Sequence, residues 1–219
     1  MNSSPIIYLQ EDDDLTPFPH PQHAMSNPNG LLMAGSNLKP ARLVQAYRQG
    51  IFPWYSEGEP ILWWSPDPRC VIWPDQVKVS RSLGKTIRKQ KYRVSYNQAF
   101  SDVIANCSKP RPGSDGTWIT DDMADSYCEL ARRGDAESIE VWNGETLVGG
   151  LYGVIVGRIF VGESMFSRES DASKVALVSL AGCGRFELID CQLPTPHLYS
   201  MGAQCIERSD YLELLKVLG

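Results

Sequence analysis

Four short runs hold residue types whose spacing could do chemistry. Ser82-Leu83-Gly84-Lys85-Thr86 ends like a phosphate-binding loop. That loop needs another glycine five residues before Gly84, so that backbone N–H groups can cradle a phosphate, and Val79 stands there. Gly162-Glu163-Ser164-Met165-Phe166 begins like the strained elbow that presents a nucleophilic serine, but the elbow needs glycine two residues after the serine and this chain has Phe166. Cys191 with His197 suggests a thiol nucleophile. If 187–192 is a strand, however, Asp190 and Gln192 share one face and Cys191 points to the other. Burying two polar side chains without partners is costly. Asp190 and Gln192 are therefore read as the functional face, and Cys191 as core.

No metal chemistry is expected. The six cysteines, at 70, 107, 128, 183, 191 and 205, contain no C-x-x-C pair, and two of the three histidines, His20 and His23, sit in the proline-rich run PFPHPQH. The cysteines read as reduced thiols used as small hydrophobes inside a cell.

These residues need elements to position them. Pro40 suits the first turn of a helix over 40–49, with Leu43, Val44 and Tyr47 on one face and Gly50 as its stop. The run 51–74 holds Trp54, Trp63, Trp64 and Trp73 among five prolines, and reads as short strands and turns with an aromatic surface. A helix at 80–90 and a strand at 92–96 follow. Asn97 is expected to cap a helix with Phe100, Val103, Ile104 and Cys107 on one face, and Thr120 a helix running to Arg133. Strands are expected at 138–142, 146–156 and 158–166, with Asn143-Gly144 as the hairpin turn. A helix from about 170–173 to Gly182 and Gly184, a strand at 187–192 and a last helix from Arg208 to Leu218 complete an α+β reading.

The chain divides into a leader over 1–26, extended in character, a small aromatic-rich N-terminal domain over 27–68 and a larger domain over 69–219. With 219 residues it is long enough to bury a sizeable core. The start, MNSSPIIYLQEDDD, lacks the basic n-region of a secretory signal, and no run has the roughly 18 apolar residues of a membrane span. A cytoplasmic protein is expected.

Formal charge is −5, which excludes a wholly basic surface. The average hides a segment. Between Asp75 and Asp102 there is no acid, but there are Lys78, Arg81, Lys85, Arg88, Lys89, Lys91 and Arg93, which leaves the rest of the chain near −12. Lys78, Arg81, Lys85, Arg88 and Lys89 follow a spacing of three and four that lines one side of a helix, as a phosphate backbone would require.

Two resemblances give these residues a setting. The strand–helix–strand order over 146–192 resembles the acyl-CoA N-acetyltransferase layout. Those enzymes grip the CoA pyrophosphate with [RQ]-x-x-G-x-[GA] at a helix start. The nearest match, Ser179-Leu180-Ala181-Gly182-Cys183-Gly184, has serine first and lies late in its helix. The layout suggests acyl transfer to an amine, without the CoA grip.

The second resemblance is more specific. The block from Asn27 to Arg69, NPNGLLMAGSNLKPARLVQAYRQGIFPWYSEGEPILWWSPDPR, is similar to the N-terminal signature of leucyl/phenylalanyl-tRNA–protein transferases. The similarity continues through Gly116-Thr117-Trp118-Ile119-Thr120, Ser138–Trp142, Leu147–Gly153, Phe160–Ser167, Ala172-Ser173-Lys174 and Leu188–Gln192 to His197 and Ser200–Ala203, over about 27–213. It implies a catalytic domain of acetyltransferase (GNAT) type, a mixed sheet flanked by helices behind the small N-terminal domain. It implies transfer of Leu, Phe or Met from aminoacyl-tRNA to proteins beginning with Arg or Lys, which marks them for degradation, with no cofactor.

By this resemblance Asp190 and Gln192 form the polar catalytic centre. Glu163 lies near the substrate amino group, and Trp54 and Trp118 hold the terminal adenosine. Phe160, Leu151, Leu177, Leu180 and Ile189 line a pocket for the transferred side chain, and the basic segment becomes the tRNA-binding surface. A monomer is the favoured state. Leu151 and Leu180 stand where some relatives carry Met and Phe, so the preference among donors stays open. Leu193-Pro194-Thr195-Pro196 replaces a segment with an Asn/Asp pair before His197, and His197 is assigned a structural role. Two alternatives remain: a weakly catalytic tRNA-end or degron-binding protein, and an acyl-CoA N-acetyltransferase.

Overall fold

The computed structural model describes residues 6–10, 13, 16–109 and 119–219. A small sheet is built from β1 (Ile7–Leu9), β2 (Leu31–Gly35), β3 (Phe52–Pro53) and β4 (Leu62–Trp64), in the order β1-β2-β4-β3. Part of the expected leader thus belongs to this sheet, since β1 pairs in parallel with β2. Helix α1 (Pro40–Tyr47) packs over it, with Pro40 at its first turn and Leu43, Ala46 and Tyr47 buried.

The larger sheet has seven strands. These are β5 (Arg69–Ile72), β6 (Arg93–Tyr96), β7 (Ala136–Asn143), β8 (Thr146–Val156), β9 (Ile159–Ser167), β10 (Leu188–Gln192) and β11 (Gln204–Ile206), in the order β11-β5-β10-β9-β8-β7-β6. Every neighbouring pair is antiparallel except β9 with β10. Around it lie α2 (Arg81–Arg88), α3 (Phe100–Cys107), α4 (Asp121–Arg132), α5 (Ala172–Ala181), α6 (Pro196–Ser200) and α7 (Arg208–Leu218). This is the expected α+β arrangement of a mixed sheet flanked by helices beside an N-terminal sheet.

Period-two alternation sends side chains from the large sheet into two cores. Tyr152, Val154, Ile159, Val161 and Leu188 pack with Val103, Met123 and Tyr127 of α3 and α4, with Tyr211 of α7, and with Met33 and Trp63 of the small sheet. Leu151, Phe160 and Ile189 point the other way, toward Val175, Leu177 and Leu180 of α5 and Leu83 of α2. Close approach depends on glycine at two places. A Cβ on Gly149 would lie 2.5 Å from the Cβ of Ala172, where α5 crosses β8, and one on Gly153 would lie 2.2 Å from the Val161 carbonyl oxygen.

Local capping follows the side-chain chemistry. Ser80, Thr120 and Thr195 each accept a hydrogen bond from the backbone N–H three residues on, starting α2, α4 and α6. Asn97 is not the cap of α3. Ala99 takes that position, and Asn97, at φ 56, uses its side-chain oxygen to accept from the Ser138 N–H at 2.8 Å. The side chain of Asn97 thus serves the β6–β7 pair, because the left-handed turn aims it across the sheet. The β7–β8 loop is Gly144-Glu145, one residue later than the Asn-Gly reading, since Asn143 still pairs with Thr146 and Gly144 supplies the positive φ of 58. The sequence reading also missed α6, too short at five residues to show a period.

Candidate active site

The site opens where two neighbouring strands part. β9 and β10 pair in parallel only from Leu188–Ile159 to Asp190–Val161. Beyond that point each strand carries a bulge. On β9, Tyr152 faces Ser164 and Gly153 faces Gly162, so Glu163 is the extra residue. On β10, Asp190 faces Val71 and Gln192 faces Cys70, so Cys191 is the extra residue. Bulges re-aim side chains and end regular pairing. Here they open a cavity of about 860 Å³ between the strands, α5 and α6.

Most of the expected site residues meet at this cavity. Trp54, Leu151, Phe160, Glu163, Leu177, Leu180, Ile189 and Gln192 all line it. Trp54 is 41% exposed, its carbonyl oxygen accepts from the Trp64 indole N–H at 2.6 Å, and the two rings lie 5.6 Å apart. Trp118 lies outside the described residues. The wall also includes Met165, Thr195, Lys109 and Arg168, which the sequence reading did not assign to a site, and His197, to which it gave a structural role; Thr195, Lys109 and Arg168 come from turns and loops that carry no periodic signal.

Asp190 and Gln192 do not share a face. Asp190 is fully buried behind the cavity, where its Oδ1 accepts from Arg69 Nε at 2.8 Å and its Oδ2 from Arg69 Nη2 at 2.7 Å. Tyr211 Oη donates to Oδ2 at 2.8 Å and the Gln192 N–H to Oδ1 at 2.9 Å. The bulge and the φ of 55 at Gln192 break the alternation, so Cys191 and Gln192 both reach the cavity wall and Asp190 does not. Cys191 as pure core is corrected for the same reason.

Glu163 is held from two sides. Tyr127 Oη donates to its Oε2 at 3.0 Å, and Gln192 Nε2 donates to its Oε1 at 3.3 Å. Tyr127 Oη in turn shares a very short hydrogen bond with Tyr47 Oη. Burial pushes the Glu163 carboxyl up to about 7, with the nearby Asp190 charge adding to the rise and the tyrosine hydrogen bonds and Arg69 opposing it. Half of such carboxyls are ionised near neutral pH, and a cation entering the cavity would complete the ionisation.

His197 sits on α6 with its Nε2 buried and without a partner among the described residues. Burial, and then the Lys174 charge, lower its pKa, so the imidazole is neutral at pH 7.

The start of α5 shows what this site does not hold. Asp171 is its N-cap, and the glycine run Ser179–Gly184 lies at the other end. A diphosphate would meet an acid at the positive end of this helix and the negative dipole at the end with the glycines.

The model of the leucyl/phenylalanyl-tRNA protein transferase family matches residues 71–216, and that of its N-terminal domain matches 36–67. The chain belongs to this family. It is 57% identical over 213 residues to a leucyl/phenylalanyl-tRNA–protein transferase of Pseudomonas fluorescens strain Pf0-1, covering 96% of this chain and 93% of the relative. It is 52% identical over 214 residues to one of Ectopseudomonas mendocina, covering 96% and 94%. A solved GCN5-related N-acetyltransferase of Kribbella flavida aligns with TM-score 0.38 and 8% identity over 74% of this chain and 58% of that one. Within the leucyl/phenylalanyl-tRNA protein transferase family, this member presents Leu151 and Leu180 on its cavity wall.

The basic residues form a separate surface. Arg81, Lys85 and Arg88 are exposed on one side of α2, and Leu83 is buried on the opposite side. Lys78 and Lys89 flank them in the open. Lys91 pairs with Glu169 at 3.0 Å, and Arg93 lies over the Trp142 ring. Among the described residues no ion pair engages Lys78, Arg81, Lys85, Arg88 or Lys89, so their charge is available to a polyanion.

Proposed function

We propose that this protein takes leucine, phenylalanine or methionine from aminoacyl-tRNA and joins it to the N-terminal Arg or Lys of acceptor proteins, making an N-terminal residue that marks them for degradation. Family membership gives the reaction class, an aminoacyltransferase. The observation that carries the reading onto this chain is the cavity: apolar walls that end at Glu163 and Gln192, with an exposed tryptophan at the edge.

An aminoacyl ester is already activated, so the reaction needs positioning and removal of one proton. The acceptor α-amine attacks the ester carbonyl, the new C–N bond forms, the C–O bond to the tRNA ribose breaks, and the amine proton leaves with the ribose oxygen. Leu151, Phe160, Leu177, Leu180 and Ile189 hold the transferred side chain. The Glu163 carboxylate holds its α-ammonium group. Gln192 spends its Nε2–H on Glu163, which leaves its Oε1 to accept from the attacking amine. Asp190 acts as a positioning residue: it receives the Gln192 N–H and is itself fixed by Arg69 and Tyr211. Trp54, and by the family resemblance Trp118, stack on the terminal adenosine.

The exposed stripe Lys78, Arg81, Lys85, Arg88 and Lys89, with Lys91 and Arg93 beside it, takes the tRNA backbone. The small domain over 27–68 supplies Trp54, just after β3, and the domain over 69–219 the remaining site. The work is cytoplasmic and the working unit a monomer; among the described residues no helix is long and apolar enough to cross a membrane.

The test mixes the protein with leucyl-tRNA and a peptide beginning with Arg. The expected product is the peptide extended by one leucine. Binding of tRNA without product would instead support a tRNA-end binding protein. Heat released on adding acetyl-CoA would support the acetyltransferase reading, and none is expected.

A further inference from the structure

Alternation on three neighbouring strands collects thiols that lie far apart in the chain. β11, β5 and β10 are side by side. Cys205 and Cys70 are direct partners in the β11–β5 pair, and Cys70 faces Gln192 at the bulge whose extra residue is Cys191. Cys70 belongs to the core on the α5 side, and Cys191 packs against that core. Directly opposed residues in antiparallel strands put their side chains on one face, with Cβ atoms about 4.5–5.5 Å apart. A disulfide spans about 3.5–4.5 Å between Cβ atoms, so only a small closure is needed. The three thiols differ in exposure: Cys70 is buried, Cys191 is partly buried on the cavity wall, and Cys205 is exposed with Tyr199 Oη 3.2 Å from its sulfur. Contact with Cys191 lowers the Cys70 thiol from its ordinary range, whereas contact with Cys70 and then burial raise Cys191. Cys70 is therefore the better thiolate of the buried pair.

We propose that Cys205, Cys70 and Cys191 form a hydroperoxide-oxidisable thiol site that connects the surface to the cavity wall. The Cys205 thiolate attacks one peroxide oxygen, the O–O bond breaks, and Cys205 becomes a sulfenic acid as the other oxygen leaves as water or an alcohol. The Cys70 thiolate then attacks the Cys205 sulfur, hydroxide leaves and is protonated to water, and the Cys70–Cys205 disulfide forms. Two thiols have lost two electrons and two protons, and the peroxide has gained them. The Cys191 thiolate can next attack the Cys70 sulfur, which frees Cys205 and leaves a Cys70–Cys191 disulfide. Cys191 precedes Gln192, so this exchange pulls the cavity wall toward β5 and slows transfer until a dithiol reduces it.

The experiment treats the full chain with equimolar hydrogen peroxide and follows mass and transfer together; only the transfer readout rests on the function proposed above. The expected result is a loss of about 2 Da, with Cys70 linked to Cys205 or Cys191 and reversed by dithiothreitol. Transfer should fall roughly tenfold or more and return on reduction. Cys205→Ser should keep the basal transfer rate and lose the response to peroxide, and Cys183→Ser should keep both. A gain of about 32 Da on Cys205 without any cross-link overturns the proposal. So does cross-linked protein that transfers as fast as the dithiol form. A reduced protein that binds tRNA and transfers nothing would instead refute the transferase reading, and the cross-link measurement would still decide the thiol chemistry.

Discussion

Glu163 and Asp190 are both carboxylates at the same strand split, and their surroundings give them different work. Glu163 lies on the cavity wall with a carboxyl raised to about 7. In the unfolded chain it ionises near 4.5, so the stability it contributes is present at acidic pH and lost as pH rises through about 7. Glu163→Gln should flatten that part of the stability profile, measured by urea unfolding at several pH values. The same variant should weaken binding of an aminoacyl-adenosine with a free α-amine. It should also remove the tightening expected between about pH 5 and 7, where the wild-type carboxyl ionises while the amine keeps its charge. Asp190 is buried against Arg69, at 0% and 1% exposure. Asp190→Ala leaves an unpaired guanidinium in the core and should cost about 3–5 kcal/mol in chemical denaturation. Replacing both partners, Arg69→Met with Asp190→Leu, should recover most of that stability while transfer stays impaired. Recovery of transfer as well would remove Asp190 from the positioning of Gln192.

At the scale of elements, the two bulges and the helix that closes the cavity matter most. α5 approaches β8 over Gly149, and its Leu177 and Leu180 form cavity wall. Gly149→Ala would place a methyl 2.5 Å from Ala172 and force α5 outward. A loss of about 1–3 kcal/mol is expected, with a raised KM for leucyl-tRNA in a transfer assay. α2 makes a different prediction because its charges are exposed. Reversing Lys85, Arg88 and Lys89 to Glu should leave the melting temperature nearly unchanged and weaken tRNA binding. The slope of log affinity against log salt should become shallower by roughly 2–3. An unchanged slope would move the tRNA-binding surface elsewhere.

The whole molecule separates its charges. The net −5 combines a basic run of seven cations with a body near −12. Under the proposed function that division suits two substrates of opposite sign, a polyanionic tRNA and an acceptor with a cationic N-terminus. The tRNA arm should weaken steeply with added salt, since the interactions are exposed and screened over about 10 Å at 0.1 M.

Much of this was readable along the chain. The helix at 40–47, the capped start at Thr120, the strand over 146–156 and the final helix from Arg208 follow from proline, cap and periodicity signals that act over a few residues. The basic stripe was legible from its 3–4 spacing, whereas the apolar wall residues were named only through the family resemblance of the long sequence blocks that carry them. The bulges were not, because an extra residue in a strand depends on what its partner strand offers. Strict alternation therefore put Asp190 beside Gln192, and only the pairing of β10 with β5 and β9 moved Asp190 behind the cavity and Cys191 onto its wall. Arg69 is 121 positions from Asp190, Tyr127 is 36 from Glu163, and Cys205 is 135 from Cys70. Local residue types determined most of the element inventory, the charge division and the family. Tertiary structure alone decided which carboxylate faces the cavity, which is locked in the core, and which thiols meet, because those outcomes depend on contacts between strands that the chain brings together only on folding.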